Sequence, residues 1–211
     1  MSNNDGMRKL CRGIGVGVIL AVLAALPVPA RPAPTDNSDI AVHVTKDGPT
    51  ISIEVDCPVA APVAVVWEVL IDYDHMTQFI SNLETSIVRE RNGNRLNVYQ
   101  KGKARRGPVT FTFENVREIQ LVPYREIRSR LISGDLKASQ FTTRIVDDSG
   151  GLHIINSGRY TPKIWVPPLI GPALLEAETR KQFGEIRAEI LRRSKLQAGL
   201  LPGANPALIR N

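Results

Sequence analysis

From Glu84 to Thr161 the chain alternates runs of period-two hydrophobicity with turn residues, and one long amphipathic helix follows. That order constrains the fold more than any other feature. A sheet of consecutive hairpins must cover one face, and the helix from about Leu169 to Arg193 is the only element long enough to do it. Its apolar stripe runs through Leu175, Thr179, Phe183, Ile186 and Ile190. Glu176 with Arg180, and Glu189 with Arg193, stand four residues apart and predict ion pairs on the wet side.

Local signals place the other elements. Thr50 to Cys57 sets Ile51, Ile53, Val55 and Cys57 against Ser52, Glu54 and Asp56, a half-buried strand with the thiol on its apolar side. Pro62 opens a helix whose face carries Val63, Val66, Trp67 and Leu70. Asp74 is placed to cap a second short helix bearing Met76, Phe79 and Ile80. Asn92-Gly93 marks a tight hairpin. Arg95 to Lys103 puts Leu96, Val98 and Gln100 on one face, and Val109, Phe111 and Phe113 alternate with threonines. Further strands fall at Tyr124 to Ile132, Leu136 to Val146 and Leu152 to Tyr160, about seven strands in all. The expected class is α+β, a curved antiparallel sheet around a C-terminal helix, with two short helices after the first strand.

The N-terminus reads as a secretory signal peptide, residues 1–30. Arg8, Lys9 and Arg12 precede an apolar run from Gly13 to Leu26, and Val28-Pro29-Ala30 supplies a cleavage site. The run is about 14 residues, short of the roughly 20 that span a bilayer, so an uncleaved anchor is the rival reading. Residues 31–39 form a proline-rich lead-in, 40–194 the domain and 195–211 a tail. The whole chain of 211 residues carries a net charge of +6. Cleavage would leave about +4, a mild excess that argues against nucleic-acid binding. It would also leave Cys57 as the sole cysteine, and so no internal disulfide.

The three histidines, His43, His75 and His153, fit no nucleophilic triad and no metal-ligand spacing, so neither catalytic residues, nor a metal, nor a cofactor is expected. Tyr73, Tyr99, Arg128 and His153 are the polar side chains that a cavity enzyme would use. Lys101, Lys103, Arg105 and Arg106 cluster near one turn, either as a solvated tip or as a transient contact with an anionic membrane surface.

Three stretches carry a family resemblance: VAAPVAVVWEVLIDYDHMTQFISNLETSIVRER from Val59 to Arg91, GDLKASQF from Gly134 to Phe141, and YTPKIWVPPLIG from Tyr160 into the long helix. With the strand order, they resemble the polyketide cyclase/dehydrase and lipid-transport superfamily, START-like proteins, and within it the coenzyme Q-binding group. The chain departs from the pattern at Thr142-Thr143 and at Ile164-Trp165-Val166. The resemblance implies a helix-grip, START/Bet v 1-like fold with an apolar pocket between helix and sheet. Candidate pocket residues are Trp67, Tyr73, Phe79, Phe111 and Phe113, then Phe141, Trp165, Leu169 and Leu174. The implied function is a periplasmic carrier of a hydrophobic small molecule, a quinone or a lipid. The alternatives are a cyclase or hydratase using the same cavity, marked by titratable groups facing it with shifted pKa values, and an accessory module for another envelope protein.

Overall fold

In the computed structural model, the described residues are 37–106, 109–163 and 172–200. They build eight strands: β1 Ala41–Asp47, β2 Thr50–Pro58, β3 Leu83–Asn92, β4 Arg95–Arg106, β5 Val109–Val122, β6 Glu126–Gly134, β7 Leu136–Asp148 and β8 Gly151–Pro162. Helix α1 spans Val63–Leu70 and a 3-10 turn follows at Tyr73–Gln78. Helix α2 spans Pro172–Leu200.

All strands are antiparallel in one sheet, ordered β1-β2-β8-β7-β6-β5-β4-β3. The strand expected at Thr50 is β2, and an eighth strand precedes it. The missed element is short, but Asp47-Gly48 is a hairpin signal and Gly48 sits at φ +54°. Val44 supplies its buried side chain, and Ile40, just before the strand, is buried as well. The expected turn at Asn92-Gly93 is present, with Asn92 opposite Arg95 and Gly93 at φ +55°.

Two expectations about polar residues are corrected. Asp74 does not cap the 3-10 turn; its Oδ1 accepts a hydrogen bond from the Val88 amide at 2.7 Å, tying that turn to β3. Glu176 and Arg180 do not pair with one another. Glu176 accepts from the Val44 amide at 3.4 Å and Arg180 donates to the Ile40 carbonyl at 3.1 Å, so both hold β1 against α2. Glu189 does meet Arg193, at 2.7 Å, but it is buried, on the packed side of the helix. Helix α2 also continues past Ser194 to Leu200, since Lys195 to Ala198 contain no breaker.

The core lies between the concave sheet face and α2. Phe183, Ile186 and Ile190 meet buried residues from β2, β4, β5 and β8, including Val55, Val98, Ile119 and Ile154. Cys57 is fully buried, and burial pushes its thiol up to about 11. Two glycines face aromatic rings across the sheet: Gly158 is opposite Phe141, and Gly102 is opposite Phe113. A Cβ on Gly158 would lie 2.4 Å from the Phe141 ring and 2.4 Å from the Gln140 carbonyl oxygen. Each ring lies over its glycine because nothing else occupies that space.

Candidate ligand cavity

The sheet's concave face and α2 do not close completely. A cavity of about 240 Å³ remains between them. Its apolar walls include Ile53, Ile119 and Ile127 from the sheet, Leu70 and Ile80 from the helical segments after β2, and Phe183 and Ile186 from α2. Its polar groups are gathered on neighbouring strands by register. Ser129 on β6 stands between Ile119 on β5 and Phe141 on β7, and Thr143 on β7 stands opposite Asn156 on β8. Asn156 donates to Thr143 Oγ1 at 2.8 Å.

One ion sits in this wall. Arg117 is opposite Val98 of β4 and Leu131 of β6, which turns it to the concave face. It donates from Nη2 to the Gln100 side-chain oxygen. Gln100 in turn donates to Ser86 Oγ at 3.0 Å and contacts Met76 Sδ at 3.5 Å. Ser86 and Gln100 are both buried. Burial pushes the guanidinium below the ordinary arginine value, and the nearby Tyr73 hydroxyl opposes that shift. Burial likewise pushes Tyr73 up to about 12, with Arg117 working the other way. Among the described residues, no carboxylate pairs with Arg117.

A second, open groove of about 680 Å³ lies among the β2–α1 connection, the β7–β8 turn and α2. It also contains an arginine, but Arg187 is matched: it donates to Asp39 at 2.7 Å and to Asn37 at 2.9 Å. At its rim His153 Nδ1 stands 2.6 Å from Asp56 Oδ1, a contact that raises the imidazole pKa. These contacts anchor the lead-in and β2.

The candidate pocket residues separate into three groups. Tyr73 and Phe141 line the cavity. Trp67, Phe79, Phe113 and Leu174 do not line it. Trp67 is buried with its ring 5.7 Å from that of Tyr124. Phe79 lies 5.8 Å beneath the Arg193 guanidinium, and Phe113 packs over Gly102. Trp165, Leu169 and the Phe111 side chain lie outside the described residues. Of the polar candidates only Tyr73 reaches the cavity. Tyr99 stacks under Arg89 at 4.1 Å, and Arg128 pairs with Glu126 on an exposed surface. Lys103 pairs with Glu84.

The most distinctive cavity group, Gln100 with Arg117, is absent from the candidate list. The signal was available: Gln100 continues the phase of Leu96 and Val98, and Arg117 shares that of Ile119 and Leu121. A polar residue in the buried phase of a strand marks a site.

The comparisons agree with this geometry. No curated protein matches the chain in sequence. The STAR-related lipid transfer protein of Xanthomonas axonopodis superposes with a TM-score of 0.60 at 13% identity, covering 72% of this chain and 93% of that one. Human STARD10 gives 0.55 at 13% identity, covering 78% and 79%. The Zhui aromatase/cyclase of Streptomyces sp. R1128 gives 0.55 at 16% identity, covering 71% and 96%. These likenesses establish the START-like helix-grip fold. A family model described as polyketide cyclase/dehydrase and lipid transport matches residues 59–182, more than half the chain, and the protein belongs to that family.

Proposed function

We propose that this protein binds a hydrophobic small molecule of the lipid or quinone class in the cavity between α2 and the sheet, and holds it without converting it. The observation that carries this reading is the cavity itself, placed where the sheet bends away from Thr179, Phe183 and Ile186. Apolar walls with a few polar groups at one place are the usual make-up of a small-molecule site. Two titratable groups face the cavity among the described residues, Tyr73 and Arg117, both shifted by burial, which is the mark expected of a cyclase or hydratase and keeps that reading as the alternative. Holding is favoured because Tyr73, pushed up to about 12, keeps its proton near neutral pH and is not poised as a general base. A carrier exported to the periplasm would also account for the charged, apolar and small-residue order of the first thirty residues.

The test is titration with the apolar fluorophore N-phenyl-1-naphthylamine. The wild type should bind one probe per chain, and Thr179→Phe, which fills the cavity from the helix side, should abolish binding with the melting temperature unchanged or raised. Absence of saturable binding to the wild type, or equal binding by Thr179→Phe, overturns the reading.

A further inference from the structure

Arg117 is half-buried in the cavity wall, and a guanidinium partly taken from water is stabilised by an anion or a full set of acceptors. Among the described residues Arg117 donates to one acceptor, the Gln100 oxygen, and to no carboxylate. The Gln100–Ser86 hydrogen bond fixes that acceptor and so fixes the guanidinium, leaving the other N–H donors of its planar fork unassigned. A second observation comes from β6. Ser129 is buried, its Oγ has no hydrogen-bond partner, and it lines the same cavity. It stands opposite Ile119, diagonal to Arg117 on the same face, a spacing of roughly 7 to 8 Å between backbones. Gln100 and Ser129 flank Arg117 on opposite sides, from β4 and β6, and all three line the same cavity.

We infer that this polar end is a receptor for the carboxylate of an aliphatic acid, one oxygen taking the guanidinium and the other the Ser129 hydroxyl. This narrows the class proposed above and depends on it. The charge of the ligand follows from the wall: Arg117 is the only ionised side chain among the described lining residues, so a monoanion balances it and a phosphate dianion does not. The size follows from the volume. A volume of about 240 Å³ suits a single medium-length chain or one small ring system rather than a two-tailed phospholipid. A neutral quinone offers acceptors to the same donors but leaves the cation unbalanced.

The experiment measures displacement of N-phenyl-1-naphthylamine by octanoate, 1-octanol and menadione at pH 7.5. The wild type should prefer octanoate to octanol and to menadione at least tenfold. Arg117→Met should bring the octanoate-to-octanol ratio within threefold of unity. Gln100→Glu provides an independent check, because it places a carboxylate beside the guanidinium: the preference for octanoate should vanish while the melting temperature rises. Ser129→Ala should weaken octanoate several-fold more than octanol. Equal affinity of the wild type for octanoate and octanol, tighter binding of menadione, or a preference that survives both Arg117→Met and Gln100→Glu overturns the inference while leaving the hydrophobic-carrier reading intact. Failure of all three competitors and of the probe itself overturns that reading instead.

Discussion

The Gly158–Phe141 contact gives a sharp test of how the cavity is built. Gly158→Ala adds one methyl group, and the ideal Cβ would meet the Gln140 carbonyl oxygen at 2.4 Å and the Phe141 ring at 2.4 Å. The oxygen belongs to the β7 backbone, hydrogen-bonded on both sides, and cannot retreat without opening the ladder. The ring can move only by leaving its place beside Tyr160, whose centroid is 6.4 Å away. Overpacking of this kind costs about 1 to 3 kcal/mol, and loss of the aromatic pair adds about 0.5 to 1.5. The sum, about 1.5 to 4.5 kcal/mol, lowers the melting temperature by about 3 to 18 °C for a domain of this size. Because Phe141 lines the cavity, the same substitution should also reduce probe affinity measured on the folded protein. Thermal melting followed by circular dichroism, beside probe titration, checks both. A melting temperature within 1 °C of wild type would refute the claim that the ring rests on the bare glycine.

Cys57, with its thiol at about 11 and no exposed surface, should stay unlabelled by 5,5′-dithiobis(2-nitrobenzoate) at pH 8 in native protein and react on adding denaturant; rapid native labelling refutes the register of β2. Arg192 first, and Arg193 with it, hold the Glu189 carboxyl below its ordinary value against the opposing effect of burial. A depressed carboxylate stabilises above its unfolded pKa of about 4.3 and loses that contribution as pH falls through the folded value. Glu189→Gln should therefore destabilise at pH 7, by about 1 to 3 kcal/mol for buried charged hydrogen bonds, with the gap closing below pH 4. Denaturant melts at both pH values decide it. Protein recovered from the cell envelope should begin near Arg31, as terminal sequencing or intact mass would report; an intact N-terminus favours an anchor.

The parts of the fold legible in the sequence were those written in a strong period. The alternation at Leu96, Val98 and Gln100 and the stripe through Thr179, Phe183 and Ile186 were read in the right phase, and the phase alone delivers the sheet face and the helix face that meet. The cavity was not legible in the same way. Periodicity tells which side of a strand points inward but not where inward space is left unfilled. Trp67 and Phe79 point inward and are used for solid packing, while Tyr73, between them in sequence, borders the gap. Aromatic residues alone do not mark the polar end of the cavity, where Gln100, Arg117 and Ser129 stand in buried phases of their strands. The expected Glu176–Arg180 pair is not formed for a related reason, although Glu189 and Arg193 do pair. An i, i+4 spacing predicts pairing on an isolated helix, but Glu176 and Arg180 have backbone partners on β1 that helix geometry cannot foresee.

The sheet order has a consequence for when the molecule can fold. Strand β2 is made early, yet its inner partner is β8, with Ile51 meeting Tyr160 and Cys57 meeting Ile154. Until β8 exists, the β1–β2 hairpin has no neighbour on that side, and an isolated two-stranded hairpin is barely stable in water. The middle of the sheet can zip by local hairpins from β3 to β8, but closure waits for contacts between opposite ends of the chain, and such contacts are slow to form. A growing chain therefore stays open until nearly all of it has been synthesised. A truncation that removes β8 should leave β1 and β2 unstructured.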